Sequence, residues 1–300
     1  MSIPAAYLGI ILIWSTTPLA IQWSAQGAGF AFAVFARMAI GLSLAATLVL
    51  VWRLGFPLHR RARQSYLVSG LGLFGAMTLT YWGARFIHSG LVSVLFGFSP
   101  LMTGVFSALW LGERSLTPKR LVGTALGIVG LGVIFAHGDG IGGEHALAGL
   151  SALLLAVAIY SASLVWIKRI GDDSPPLATT AGSLAVSFPL FGLVWWFADG
   201  SIPQTLPARA IAATVYLGIF GSVLGFALYY YVIKHMDTGK VALITLITPV
   251  LALLLGHGFN GEEIGLRVWL GAGLISLGLA LHQWDGIVAI GRARGIGGGR

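Results

Sequence analysis

The stretches Arg85–Glu113 and Lys234–Glu262 are two copies of one pattern, 149 positions apart. Gly90 falls on Gly239, Val92 on Val241, Pro100 on Pro249, Gly112 on Gly261 and Glu113 on Glu262. Similar residues fill in the rest: Arg85 with Lys234, Ser89 with Thr238, Ser99 with Thr248. Each copy is an apolar run of about 23 residues with a proline near its centre. As a helix rising 1.5 Å per residue, such a run crosses a hydrocarbon layer of ~30 Å.

Apolar segments of similar length lie near 4–23, 30–52, 65–86, 90–112, 119–137, 146–168, 177–198, 210–233, 239–261 and 265–285. Only 9% of the residues are charged, against about 25% in a soluble domain. The expected solvent is therefore lipid, and the predicted fold class is an all-α integral membrane protein with ten transmembrane helices. The first run follows Met1-Ser2-Ile3-Pro4 with no basic lead. It reads as a retained span rather than a cleaved signal peptide.

Five spans on each side of residues 138–145 give an odd number per half, so the second half must enter the membrane upside down. Lys and Arg support this threading. With the N-terminus inside, the inside loops and tail carry fourteen of them and the outside loops three, Arg85, Arg209 and Arg267. That bias places both termini in the cytoplasm. The expected units are a first five-helix repeat at 1–137, an outside linker at 138–145, a second, inverted repeat at 146–285 and a Gly-rich cytoplasmic tail at 286–300. The duplication extends to Gly72 with Gly221, Leu79 with Leu228 and Tyr81 with Tyr230, and Trp14-Ser15 aligns with Tyr160-Ser161. Inverted repeats of this kind enclose a central cavity in many secondary transporters.

Other function classes find little support. A net charge of +8 raises the question of nucleic acid, but the cations sit in short loops between spans, where the orientation rule accounts for them. Absence of cysteine excludes disulfides, thiol catalysis and cysteine metal sites. The Gly70, Gly72, Gly75 spacing matches a dinucleotide loop but lies inside an apolar run with no strand before it. No paired carboxylates, HExxH or phosphate loop occur. The chain is read as a non-enzyme without cofactor or metal, whose partners are the bilayer and a small-molecule substrate.

Pro100 and Pro249 lack an N–H and crowd the carbonyls of Phe96 and Thr245. Each is expected either to hinge its helix, exposing Ser99 or Thr248, or to set a fixed kink. Trp14 and Tyr160, beside Ser15 and Ser161, sit mid-span and either line a cavity or pack the bundle. Tyr81 and Tyr230 lie a turn from span ends, as symmetric gates or as belt tyrosines. The other tryptophans fall near span ends, as an interfacial belt does. Glu113 and Glu262 end the paired helices, where a carboxylate opposes the dipole. They are expected to be solvated end residues, or to pair with a Lys or Arg of the adjoining loop, rather than to couple protons. Arg37 lies two turns into the second span, facing a substrate carboxylate or snorkelling outward. Gly123 and Gly127, with Ala272, Ser276 and Ala280, form small-residue faces for scaffold or dimer contacts; monomer and homodimer both stay open.

These residues together resemble the drug/metabolite transporter superfamily, in its EamA-type ten-helix branch and nearest its amino-acid exporters. The resemblance rests on the two five-span halves, on Trp14-Ser15 and Tyr160-Ser161, and on the Ser89-Gly90, Pro100, Gly112-Glu113 run with its copy at Thr238-Gly239, Pro249, Gly261-Glu262. It implies export of amino acids or related metabolites across the bacterial inner membrane by alternating access. Efflux of drug-like cations and a passive pore are the alternatives. It also implies Gly90, Pro100, Gly239 and Pro249 as gating positions, with Trp14, Ser15, Tyr81, Ser99, Tyr160, Ser161, Tyr230 and Thr248 toward the substrate, and peripheral fifth and tenth spans. One departure matters: the four-helix multidrug relatives carry an acid in their first helix, and neither span one nor span six has one here.

Overall fold

The computed structural model describes residues 2–113, 117–135, 145–198, 200–236 and 238–284. Most of the predicted 138–145 linker and the whole 286–300 tail lie outside the described residues. Among the described residues the chain is helical, with no strand. In lipid this is what the backbone requires, since only a helix satisfies every peptide N–H and C=O within one segment.

The helices are α1 (Ile3–Ser24), α2 (Phe30–Val51), α3 (Arg60–Gly83), α4 (Ser89–Phe96), α5 (Ser99–Leu111), α6 (Pro118–Phe135), α7 (Ala146–Ile170), α8 (Pro176–Ala198), α9 (Ala208–Tyr216), α10 (Gly225–His235), α11 (Thr238–Asn260) and α12 (Leu266–His282). A π-helical segment, Leu217–Leu224, joins α9 to α10, and α4 runs on into α5, which gives the ten spans. Seven spans are long and apolar enough to cross a membrane by these measures alone; α12 is apolar but shorter, and α3 starts with Arg60, Arg61 and Arg63 in its first turn. Gly112 and Gly171 close α5 and α7 in the left-handed conformation, which glycine adopts without a Cβ penalty.

Glycines set which spans meet. A Cβ on Gly123 would collide with the carbonyl of Gly278, and one on Gly130 would lie 2.7 Å from that of Gly271, so α6 and α12 touch backbone to backbone. The small-residue faces expected for scaffold contacts thus seal the last span of each half onto the other. Gly123 makes this contact as expected, and Gly127 presents its backbone to Gly278 while its open Cα side meets Phe98 and Leu101. The glycines of the apparent dinucleotide motif serve packing too, Gly70 against Val186 of α8, Gly72 and Gly75 against Ser163 and Ile159 of α7. Trp52 and Trp196 are largely exposed at helix ends, as belt residues are.

The buried side chains form two clusters. The larger draws on every helix but α10, with Ala20 and Ile21 from the far half of α1 and Leu253 from the far half of α11. The smaller gathers Ala6, Ile10, Ile11 and Ile13 of α1 with Leu228 and Val232 of α10 and Ile244 of α11. All of the latter lie in the half of the bundle nearest the arginine-rich loops, here termed the basic end.

Candidate functional site

The two repeated helices cross at their middles. A Cβ on Gly97 would lie 3.7 Å from Pro249 Cγ. The crossing is not symmetric. The first copy breaks at Gly97–Phe98, so that Pro100 sits in the first turn of α5, where a missing N–H is harmless. The second copy runs unbroken through Pro249 as α11. Where the first copy has Gly97 the second has Leu246, and a glycine three residues before a proline is a sufficient cause for the break.

Away from the basic end, α4 lies close along α11. A Cβ on Gly90 would come within 2.7 Å of Leu253 Cα. Glu262 is buried and binds the head of α4: the Ser89 amide donates to Oε1 at 3.0 Å and the Gly90 amide to Oε2 at 3.5 Å. A carboxylate there meets unsatisfied N–H groups and the positive end of the helix dipole. Asn260 Nδ2 donates to Glu262 Oε1 at 2.9 Å and to Gln22 Oε1 at 3.1 Å. Gln22 Nε2 in turn donates to the carbonyls of Ala84 and Ile87. Trp23 Nε1 donates to Asn260 Oδ1, and the Arg209 guanidinium stands 3.6 Å from the Trp23 ring centre. The ends of α1, α3, α4 and α11 are thereby tied together.

The expectation that Glu262 is a solvated end residue is corrected here. Its solvent is replaced by two backbone amides from the distant head of α4 and by the side chain of its neighbour Asn260. Glu113, its repeat partner, is exposed as expected, and it pairs at 2.7 Å with Lys168, which stands on the last turn of α7 and not in the adjoining loop. At this basic end α5 packs on α7, while α11 packs on α1. The two repeated helices diverge into the separate clusters described above.

Ser99, Ser161 and Thr248 lie on the crossing helices or directly against them, and the contacts pair the predicted residues differently from what the repeat suggests. Ser99 and Ser161 hydroxyls lie 3.1 Å apart, and Ser161 Oγ also reaches the Ser99 carbonyl at 3.2 Å, joining α5 to α7. Tyr160 lies against Phe96, with ring centres 6.2 Å apart, and Trp14 against Tyr229 at 4.9 Å. Ser15, Thr248 and Tyr81 are buried, which removes Tyr81 from any interfacial belt; the Ser15 and Tyr81 hydroxyls have no hydrogen-bond partner among the described residues. Tyr230 and Gly239 fall on α10 and α11, but their side-chain surroundings lie outside the described residues.

Three features escaped the sequence reading. Pro18 lies inside α1 and frees the Trp14 carbonyl. Thr16 Oγ1 meets Tyr216 Oη at 2.7 Å. The π-helical segment binds Arg37: Nε donates to Ser222 Oγ at 3.0 Å and Nη2 to the Gly221 carbonyl at 3.4 Å, with Nη1 unpartnered. Pro18 was visible, and Gly218, Gly221 and Gly225 hinted at an irregular turn; the Arg37 contact spans 185 positions and left no local trace. Among the described residues no group of His, Asp or Glu is arranged to hold a metal.

Comparison with known proteins agrees with this architecture. The sequence model of the EamA-like transporter family matches residues 3–136 and 147–282, once per repeat. A probable terminal-alkyne amino-acid exporter of Streptantibioticus cattleyicolor is 26% identical over 262 residues, covering 84% of this chain and 83% of its own. An uncharacterised inner membrane transporter of Escherichia coli, YedA, is 26% identical over 288 residues, 92% and 89% of the two chains. A solved crystal structure matches with a TM-score of 0.65 over 95% of this chain and 97% of its own, at 22% identity; that likeness speaks for the fold.

Proposed function

This chain belongs to the EamA-like transporter family, and from that premise we propose that it exports amino acids or related small zwitterions from the cytoplasm by alternating access. The observation that carries the reading is the crossed pair of repeated helices, latched by Glu262 at one end and parted at the other. The basic end is cytoplasmic in this reading, on the positive-inside rule, so the described state faces inward. Export then requires the opposite arrangement, in which α11 closes on α5 at the basic end while α4 leaves α11.

The substrate class is supported by three things. Hydroxyls and aromatic rings surround the crossing, which suits an apolar body with a few hydrogen bonds. Among the described residues, Asp and Glu lie at helix ends and in loops rather than in the span cores, which disfavours drug-like cations. One relative carries the name of an amino-acid exporter. Placement in a bacterial inner membrane is supported by one relative, which is named an inner membrane transporter of Escherichia coli.

The test is counterflow in proteoliposomes with a panel of labelled amino acids, with and without a pH gradient. Exchange of at least one amino acid is expected, and exchange of none would sink the substrate assignment. A passive pore is separated by thiol labelling from both sides: a pore leaves both mouths reactive in the same molecules, whereas alternating access makes the two exclusive. The chain has no cysteine, so each introduced thiol reports alone.

A further inference from the structure

A second site lies away from the crossing, at the basic end on the perimeter of the bundle. There α3 and α7 leave a cleft of about 560 Å³ lined by Arg61, Gln64, Leu67, Val68, Trp166 and Arg169. The lining residues follow helical spacing, one stripe on each helix, so the cleft is built from two regular faces. Its polar groups sit in the first turns of α3 and the last turn of α7. Leu67 and Trp166 beside them are exposed to the surroundings of the bundle, which for a span is lipid.

The charges are unspent. The carboxylate of Glu113 is engaged by Lys168, and that of Asp172 lies 3.6 Å from the His59 ring. No carboxylate pairs with Arg61 or Arg169 among the described residues. Arg169 instead stands 5.5 Å from the Trp166 ring centre, an arrangement that holds the guanidinium in place without neutralising it. Two guanidinium forks beside an amide, above an apolar wall and at membrane-interface depth, match a phosphodiester with acyl chains attached. Arginine forks bind phosphate oxygens bidentately, and tryptophan is at home at headgroup level.

We propose that this cleft binds the headgroup of an anionic phospholipid, with its acyl chains descending past Leu67. The inference does not depend on what the protein transports, and its test involves no flux, so either reading can fail alone.

The test is native mass spectrometry of the full-length purified protein with phosphatidylglycerol or phosphatidylcholine, and with inorganic phosphate as competitor. Wild type should retain phosphatidylglycerol at least tenfold more tightly than phosphatidylcholine. The variant Arg61→Gln/Arg169→Gln should lose about thirtyfold, since each basic group near an anionic surface contributes roughly fivefold. Arg60→Gln/Arg63→Gln, which removes the same charge from the same end outside the cleft, should stay within about threefold of wild type. Equal losses in the two variants would mean general attraction and overturn the site, as would no preference for the anionic lipid. Displacement of the lipid by millimolar inorganic phosphate would point to a free-phosphate site and overturn the lipid assignment. Arg61 is exposed, so Arg61→Gln alone, expected to lose about fivefold, keeps the test decisive if the double variant does not purify.

Discussion

Glu262 and Glu113 occupy the same place in the two repeats, yet one is buried against the head of α4 and the other lies exposed on Lys168. The same sequence element thus exists in two states within one molecule. At the Glu262 end a carboxylate, two amides and three side-chain amide or indole groups replace water. At the Glu113 end the pair stays wet, where an ion pair contributes ~0–1 kcal/mol. The difference teaches that a duplicated element need not make the same contact in both halves. In the reading proposed above, the two ends exchange these roles during transport, and Glu113 would then cap the head of α11 at Thr238–Gly239, as Glu262 now caps Ser89–Gly90. A ligand shifts such a balance only by its differential affinity for the two states.

The largest effect is expected where backbone meets backbone. Gly90→Leu would push a side chain into Leu253 at a site with no room, costing ~3 kcal/mol of the latched state. Thiols placed near that mouth should become reactive from outside. Unchanged labelling would break the claim that this contact shuts the mouth.

Glu262→Ala comes next. It strands the Ser89 and Gly90 amides and Asn260, a loss of ~2–3 kcal/mol for charged hydrogen bonds. A lower melting temperature should accompany greater outside labelling. Melting that matches wild type would mean that the network contributes little.

A smaller change is expected at the crossing itself. Ser161→Ala removes the bridge to Ser99 and should lower stability by ~1 kcal/mol, read by chemical denaturation. The rate of exchange should change more than its half-saturation if the bridge governs the motion of α5 rather than substrate contact.

Glu113→Gln sharpens the comparison from the weak side. It breaks an exposed pair, so stability should fall by less than ~1 kcal/mol. On the exchange-of-roles reading, however, transport should fall well beyond what that change explains. Full transport activity in this variant would end the exchange-of-roles idea.

Legibility followed the range of the interactions. Span positions, the odd count per half and the tryptophan belt were readable because lipid acts on each segment separately. The candidate residues Ser99, Ser161, Trp14, Tyr160 and Thr248 were found because the repeat singles them out. Their partners were not, since Trp14 meets Tyr229 and Ser99 meets Ser161 across 215 and 62 positions. Glu262 was misread for the same reason: two of the groups that bind it come from residues 89 and 90, and its neighbour Asn260 is held in turn by Gln22. The π-helical segment and its hold on Arg37 depend on how α2 packs, which no local pattern specifies.

By itself the sequence determined that this protein lives in a membrane, spans it ten times and is built from two halves of opposite sense. These follow from hydrophobic length, loop charge and an odd span count, each a local or additive property. Only the tertiary structure decided which of the two repeated helix ends is latched. Both copies carry the closing Gly-Glu pair, so the difference rests on long-range contacts that no single stretch of chain contains.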